Sequence, residues 1–181
     1  MNRHHSPREL AYAGLFGAAG LLLPFLFHVL HLGHVFMPMY LPLVTLAFLV
    51  RPLPAAITAI ITPLLSAAVT GMPPLYPPVA LFMAIELGAM AALIATSRAL
   101  WPRANAWLVL SCAFVLGRAI YIGLVYAFAR VFDLPAGFLA GMSFLSGWPS
   151  IILMLVAVPP FVRIVGRSAH RSAISSMEAH R

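Results

Sequence analysis

The chain has 181 residues, 62% of them hydrophobic and only 8% charged, and its mean hydropathy is +0.99. Soluble domains carry about 25% charged residues, so composition excludes a soluble enzyme or binding module and predicts an all-α integral membrane protein. The net charge of +7 comes from eleven arginines against four acidic residues, and nearly all of the arginines sit at the ends of apolar runs, with no lysine and no basic stripe, which speaks against nucleic acid as a partner and for the lipid bilayer.

A helical crossing needs ~20 residues. The apolar pattern predicts a bundle of six transmembrane helices at about 9–30, 36–50, 53–70, 78–97, 105–129 and 144–165. They form one domain over 1–181, closed by a basic tail at 166–181. The first span follows Arg3 and Arg8 and is too long for the apolar core of a signal peptide. It carries two small-x-x-x-small pairs, Ala13/Gly17 and Gly14/Ala18, which let a second helix approach closely. His28, His31 and His34 lead from its end into the first outer loop, at steps of three that allow neighbouring pairs to share a helix face. Three imidazoles there would suit a metal or the metal centre of a corrinoid; equally, histidines sit comfortably at a membrane interface. Cysteine and carboxylate co-ligands are missing nearby, so no metal site is assigned and no resident cofactor is expected.

The stretch from Phe36 to Leu87 is apolar and proline-rich, with Arg51 and Glu86 as its charges. Arg51-Pro52-Leu53-Pro54 joins spans two and three as a corner with fixed dihedrals. The GMPPLYPP segment, 71–78, joins spans three and four. Gly71 permits a positive φ, and the four prolines hold the chain extended. It reads either as a rigid lid over a ligand or as a tight helix connection. Glu86 in span four and Arg118 in span five lie ~12 Å and ~16 Å below the outer ends of their spans at 1.5 Å per residue. Charges inside a membrane pair with one another or mark a transport path, so the two are expected to form an ion pair, a substrate contact, or both. Cys112 lies in an apolar run and reads as a small buried hydrophobe.

Orientation follows from the arginines. With both termini cytoplasmic, Arg3, Arg8, Arg51, Arg98, Arg103, Arg163, Arg167, Arg171 and Arg181 fall inside and Arg130 falls outside, as the positive-inside bias requires.

Several of these segments together resemble the substrate-binding components of energy-coupling factor transporters. The likeness lies in six short spans, the Phe36-Met-Pro-Met-Tyr-Leu-Pro42 and Thr62-Pro-Leu-Leu-Ser66 runs, the Thr70-Gly-Met-Pro-Pro74 turn and the Glu86-Leu87 pair. The small-residue patch Ala13, Gly14, Gly17 and Ala18 looks like the family's contact for the membrane coupling subunit. The chain departs from many relatives at Arg51-Pro52-Leu53-Pro54, where they carry a glycine-rich turn, and in its clustered histidines.

The resemblance implies a binder, not an enzyme, in a prokaryotic cell membrane. It would capture a vitamin or related micronutrient at the outer face and work with a coupling subunit and two ATP-binding subunits. The absence of lysine agrees, since a G-x-x-x-x-G-K-S/T phosphate loop cannot be built from this chain. Expected cavity residues are His28, His31, His34, Met37, Tyr40, Met72, Tyr76, Glu86, Tyr121 and Trp148. The second reading is a self-sufficient proton-coupled carrier using Glu86, Arg118 and the histidines as its relay.

Overall fold

The computed structural model describes residues 6–29, 38–132, 151–160 and 162. Among them every regular element is an α-helix: α1 (Pro7–Val29), α2 (Tyr40–Leu49), α3 (Pro52–Thr70), α4 (Val79–Leu100), α5 (Ala106–Val131) and α6 (Ile151–Pro160). Four of them, α1, α3, α4 and α5, are long and apolar enough to cross a membrane. The tail at 166–181 and most of the flanks of the sixth expected span lie outside the described residues.

One element is shorter than the sequence pattern suggests. The ten residues of α2 rise ~15 Å, half the ~30 Å of a hydrocarbon core. The lower limit of α2 has a clear cause. Arg51 precedes Pro52, whose ring disfavours helical geometry in the residue before it. Val50 (φ −123°, ψ 169°) and Arg51 (φ −66°, ψ 160°) are both extended, and Pro52 then opens α3, where its missing N–H costs nothing. The helix within 36–50 is therefore a buried one, shorter than a full helical crossing.

That burial is nearly complete. Eight of the ten α2 residues are buried, as expected for a helix apolar on all sides. Its polar Thr45 donates its hydroxyl to the Leu41 carbonyl at 2.7 Å, which satisfies it within the helix. Around α2 lie α1, α3 and α4, and α5 packs against α4. Met154 and Val158 of α6 join the same core.

Small residues set how closely the long helices approach, as is usual where lipid removes a hydrophobic drive between helices. Ala55 and Ala59 of α3 are fully buried. At Gly88 of α4 an added Cβ would stand 2.6 Å from Ile60 Cγ1 on α3. At Gly117 of α5 it would stand 2.5 Å from Met90 Sδ on α4. By contrast α1 lies at the flank and exposes Leu10, Leu15, Leu22, Phe25 and Leu26, as a lipid-facing helix does.

One ion pair fixes the corner between α1 and α3. Arg51 Nη2 lies 2.7 Å from Glu9 Oε2, and the Arg51 backbone N–H donates to Glu9 Oε1 at 3.2 Å. The hydrogen bonds to Glu9 hold the Arg51 guanidinium above even its ordinary high range. The start of α1 and the α2–α3 corner therefore share one end of the bundle. Arg98 and Arg103 follow at that end because α4 runs antiparallel to α3; Arg130 sits at the other, near the end of α5.

Gly88→Val is expected to lower stability by ~1–3 kcal/mol through overpacking against Ile60. Gly14→Ala, at a position with no atom within 4 Å of the added Cβ, is expected to be neutral or slightly stabilising. Thermal unfolding of the detergent-solubilised variants checks both.

Candidate functional site

Glu86 sits in the third turn of α4, and its carboxylate is the one acidic group among the described residues that is wholly buried. An isolated carboxylate in such a place would be strongly disfavoured, and two other helices supply what it needs. The Tyr40 hydroxyl, at the first residue of α2, donates to Glu86 Oε2. Arg118 Nε, midway along α5, lies 3.2 Å from Glu86 Oε1. Arg118 also reaches the Tyr40 hydroxyl from Nη2 at 3.4 Å.

The guanidinium is held by aromatic faces as well. Its carbon stands 5.7 Å from the centre of the Tyr40 ring and 5.5 Å from that of Tyr121, within the ~6 Å over which a ring quadrupole attracts a cation. Tyr121 is fixed in turn by an edge-on contact with Phe82, at 6.3 Å between centroids. The two charges are unequally covered: the Glu86 side chain is 0% exposed and that of Arg118 13%. The cluster thus presents a cation at its open side, neutralised from behind by a sealed carboxylate. Such an arrangement can receive an anionic or hydrogen-bond-accepting group without leaving Glu86 unpaired.

The small residue at 117 makes this geometry accessible. A Cβ there would meet Met90 and come within 3.3 Å of Glu86 Cγ, so the glycine lets α5 approach α4 closely enough for Arg118 to reach the carboxylate. On the α2 side, Leu43, Leu46 and Ala47 lock the helix that carries Tyr40 into the core.

Of the residues expected to line a cavity, the structure gathers Tyr40, Glu86 and Tyr121, together with Arg118. Met72 and Tyr76 stand 54% and 77% exposed on the 71–78 connection. His31, His34, Met37 and Trp148 lie outside the described residues, as does the side chain of His28, whose backbone is in the last turn of α1. Among the described residues no group of three or more His, Cys, Asp or Glu is placed to hold a metal ion. Cys112 is exposed on α5 rather than buried.

The 71–78 connection is anchored from below. Gly71 caps α3 in the left-handed region (φ 73°) and donates its N–H to the Ala67 carbonyl. The hydroxyls of Ser66 and Thr70 lie 2.7 and 3.1 Å from the Met72 carbonyl, and the Ala80 N–H donates to the Pro74 carbonyl at 3.1 Å. The peptide bonds before Pro73 and Pro77 are cis.

The four small residues of α1 divide between two faces. Gly17 faces α3, with an added Cβ 3.2 Å from Thr58 Cγ2, while Gly14 and Ala18 are exposed and Ala13 is half-buried. The inward seam continues at Gly20, against Thr62 and Leu43, which the small-x-x-x-small pattern did not single out. The sequence pattern places Tyr40 among the cavity residues but not on Glu86; that bond spans 46 residues and leaves no periodic trace. Glu9 carried one available signal, since it is one of only four acidic residues in the chain.

Searches against family models, curated proteins and solved structures gave no match. The functional reading therefore rests on the chain's own residues.

Glu86→Ala is expected to destabilise the protein by ~3–5 kcal/mol, because it leaves Arg118 without its counter-charge in a low-dielectric site. The double variant Glu86→Ala/Arg118→Ala should lose less than the sum of the two singles. Tyr40→Phe, which removes one bond to a charged acceptor, should lose ~1.5–3 kcal/mol. Thermal or denaturant unfolding of the four variants measures these differences.

Proposed function

We propose that this chain is the substrate-binding membrane subunit of an energy-coupling factor importer, capturing a vitamin or related micronutrient for ATP-driven uptake by partner subunits. In this reading it crosses a prokaryotic cell membrane six times with both termini cytoplasmic. The arginine-rich end, with Arg8, Arg51, Arg98 and Arg103, faces inward, and the 71–78 connection and Arg130 face outward, in keeping with the positive-inside bias.

The observation that carries the proposal is the Tyr40–Glu86–Arg118 cluster. Glu86 lies seven residues into α4, ~10 Å below its outer end, and so beneath the proline-rich connection. A mostly apolar surround with a few convergent polar groups is what small-molecule sites share. Arg118 and the two tyrosine rings would orient a flat, partly anionic ligand, with Glu86 fixing the guanidinium from behind. ATP hydrolysis would belong to partner subunits, since a chain without lysine cannot build a phosphate loop of its own. The exposed Gly14 and Ala18 of α1, between the apolar Leu10 and Leu22, offer a close-approach face for a coupling subunit. Corrinoids enter the candidate ligands if the histidines of the first loop ligate.

The same buried carboxylate favours one other reading, a proton-coupled carrier in which Glu86 exchanges a proton. Uptake that survives deletion of the ATP-binding subunits and is abolished by an uncoupler would select it and reject the importer.

Protein purified from its native membrane is expected to carry a small molecule identifiable by mass spectrometry. Arg118→Gln should weaken retention of that molecule ~10- to 100-fold, the equivalent of losing a charge-assisted hydrogen bond. Equal retention by wild type and Arg118→Gln would remove the cluster from the binding site.

A further inference from the structure

A second feature lies at the opposite end of α4 and α5, two turns or more beyond Glu86. The end of α4, the 101–105 turn and the start of α5 outline a groove of about 960 Å³. Leu93, Leu108 and Val109 give it an apolar lining, and Cys112 lies along it. Trp101, 64% exposed, and Arg103, also exposed, stand at its turn end.

The two arginines here differ in what they do. Arg98 Nη1 donates to the Ala104 carbonyl at 3.2 Å and so closes the turn. Arg103 makes no hydrogen bond or ion pair with the described residues. Its cation is therefore available at the end of an apolar channel, at the level where two membrane-crossing helices terminate. Exposed tryptophan and arginine at such a level mark the headgroup region, and basic recesses between transmembrane helices suit anionic headgroups.

A water-soluble ligand would find an apolar lining with little polar besides Arg103. A zwitterionic lipid would fill the channel but bring its own cation to the arginine. An anionic amphiphile matches both parts. We propose that this groove binds an anionic glycerophospholipid, one acyl chain lying along Leu93, Leu108 and Val109 and the phosphate held by Arg103. The site is separate from the Tyr40–Glu86–Arg118 cluster and holds whether or not the importer reading does.

Cys112 supplies the probe, because it is the chain's single cysteine and is exposed. The full chain is reconstituted in nanodiscs of phosphatidylcholine alone or of an equal mixture with phosphatidylglycerol. The rate of labelling by an uncharged maleimide is then measured. A bound acyl chain shields the thiol, so labelling should slow about fivefold with phosphatidylglycerol, the enrichment that ~1 kcal/mol per arginine at an anionic surface gives.

Arg103→Gln, a substitution at an exposed position, should abolish the difference between the two lipids. Native mass spectrometry should show phosphatidylglycerol retained by wild type in preference to Arg103→Gln. Equal labelling in both lipid mixtures, or slowing that persists in Arg103→Gln, would overturn the proposal. So would protection by inorganic phosphate alone in phosphatidylcholine nanodiscs, which would make the site one for a free anion and not a lipid.

Discussion

A carboxylate sealed inside a membrane protein imposes conditions on everything around it. Glu86 is 0% exposed, so its oxygens must find partners within the bundle or remain uncharged. The partners come from two other helices: Tyr40 from α2 and Arg118 from α5. Three helices are thereby held in one register at one level. Gly117, Met90 and the buried face of α2 are arranged to let those side chains meet.

The same requirement gives α2 its place. Ten helical residues are shorter than the thickness of a hydrocarbon core, yet this helix is the most deeply buried element among those described. Its lower end is stopped by Arg51-Pro52 and tied to α1 through Glu9, while its upper end delivers Tyr40 to the carboxylate. A short helix held at both ends in this way places a hydroxyl and an aromatic ring inside the bundle without a side-chain charge of its own. The remaining charge, on Arg118, is left at the more open side.

Polar chemistry in this chain thus separates into two levels. The buried level holds the Tyr40–Glu86–Arg118 cluster, where burial makes each bond count. The arginine-rich end holds Glu9–Arg51, Arg98 and the exposed Arg103, where guanidinium groups meet corners, carbonyls and the membrane surface. Between the two, packing depends on alanine and glycine, because in lipid the helices gain little from burying larger apolar groups against one another.

The amino-acid sequence by itself determined the membrane class, the bounds of α1, α3, α4 and α5 to within a few residues, and the clustering of arginines at one end. These follow from local composition, since a helix in lipid must satisfy its backbone within its own turns. Glu86 and Arg118 stood out for the same reason, as charges in apolar runs at matching depth. The tertiary structure alone decided that 36–50 contains a buried half-helix, that Tyr40 completes the pair, that Gly17 turns inward while Gly14 faces out, and that Cys112 is exposed. Each of these depends on which face of one helix meets another. That choice is made by side-chain fit across tens of residues of chain, and hydropathy, which is nearly uniform around these helices, carries no record of it.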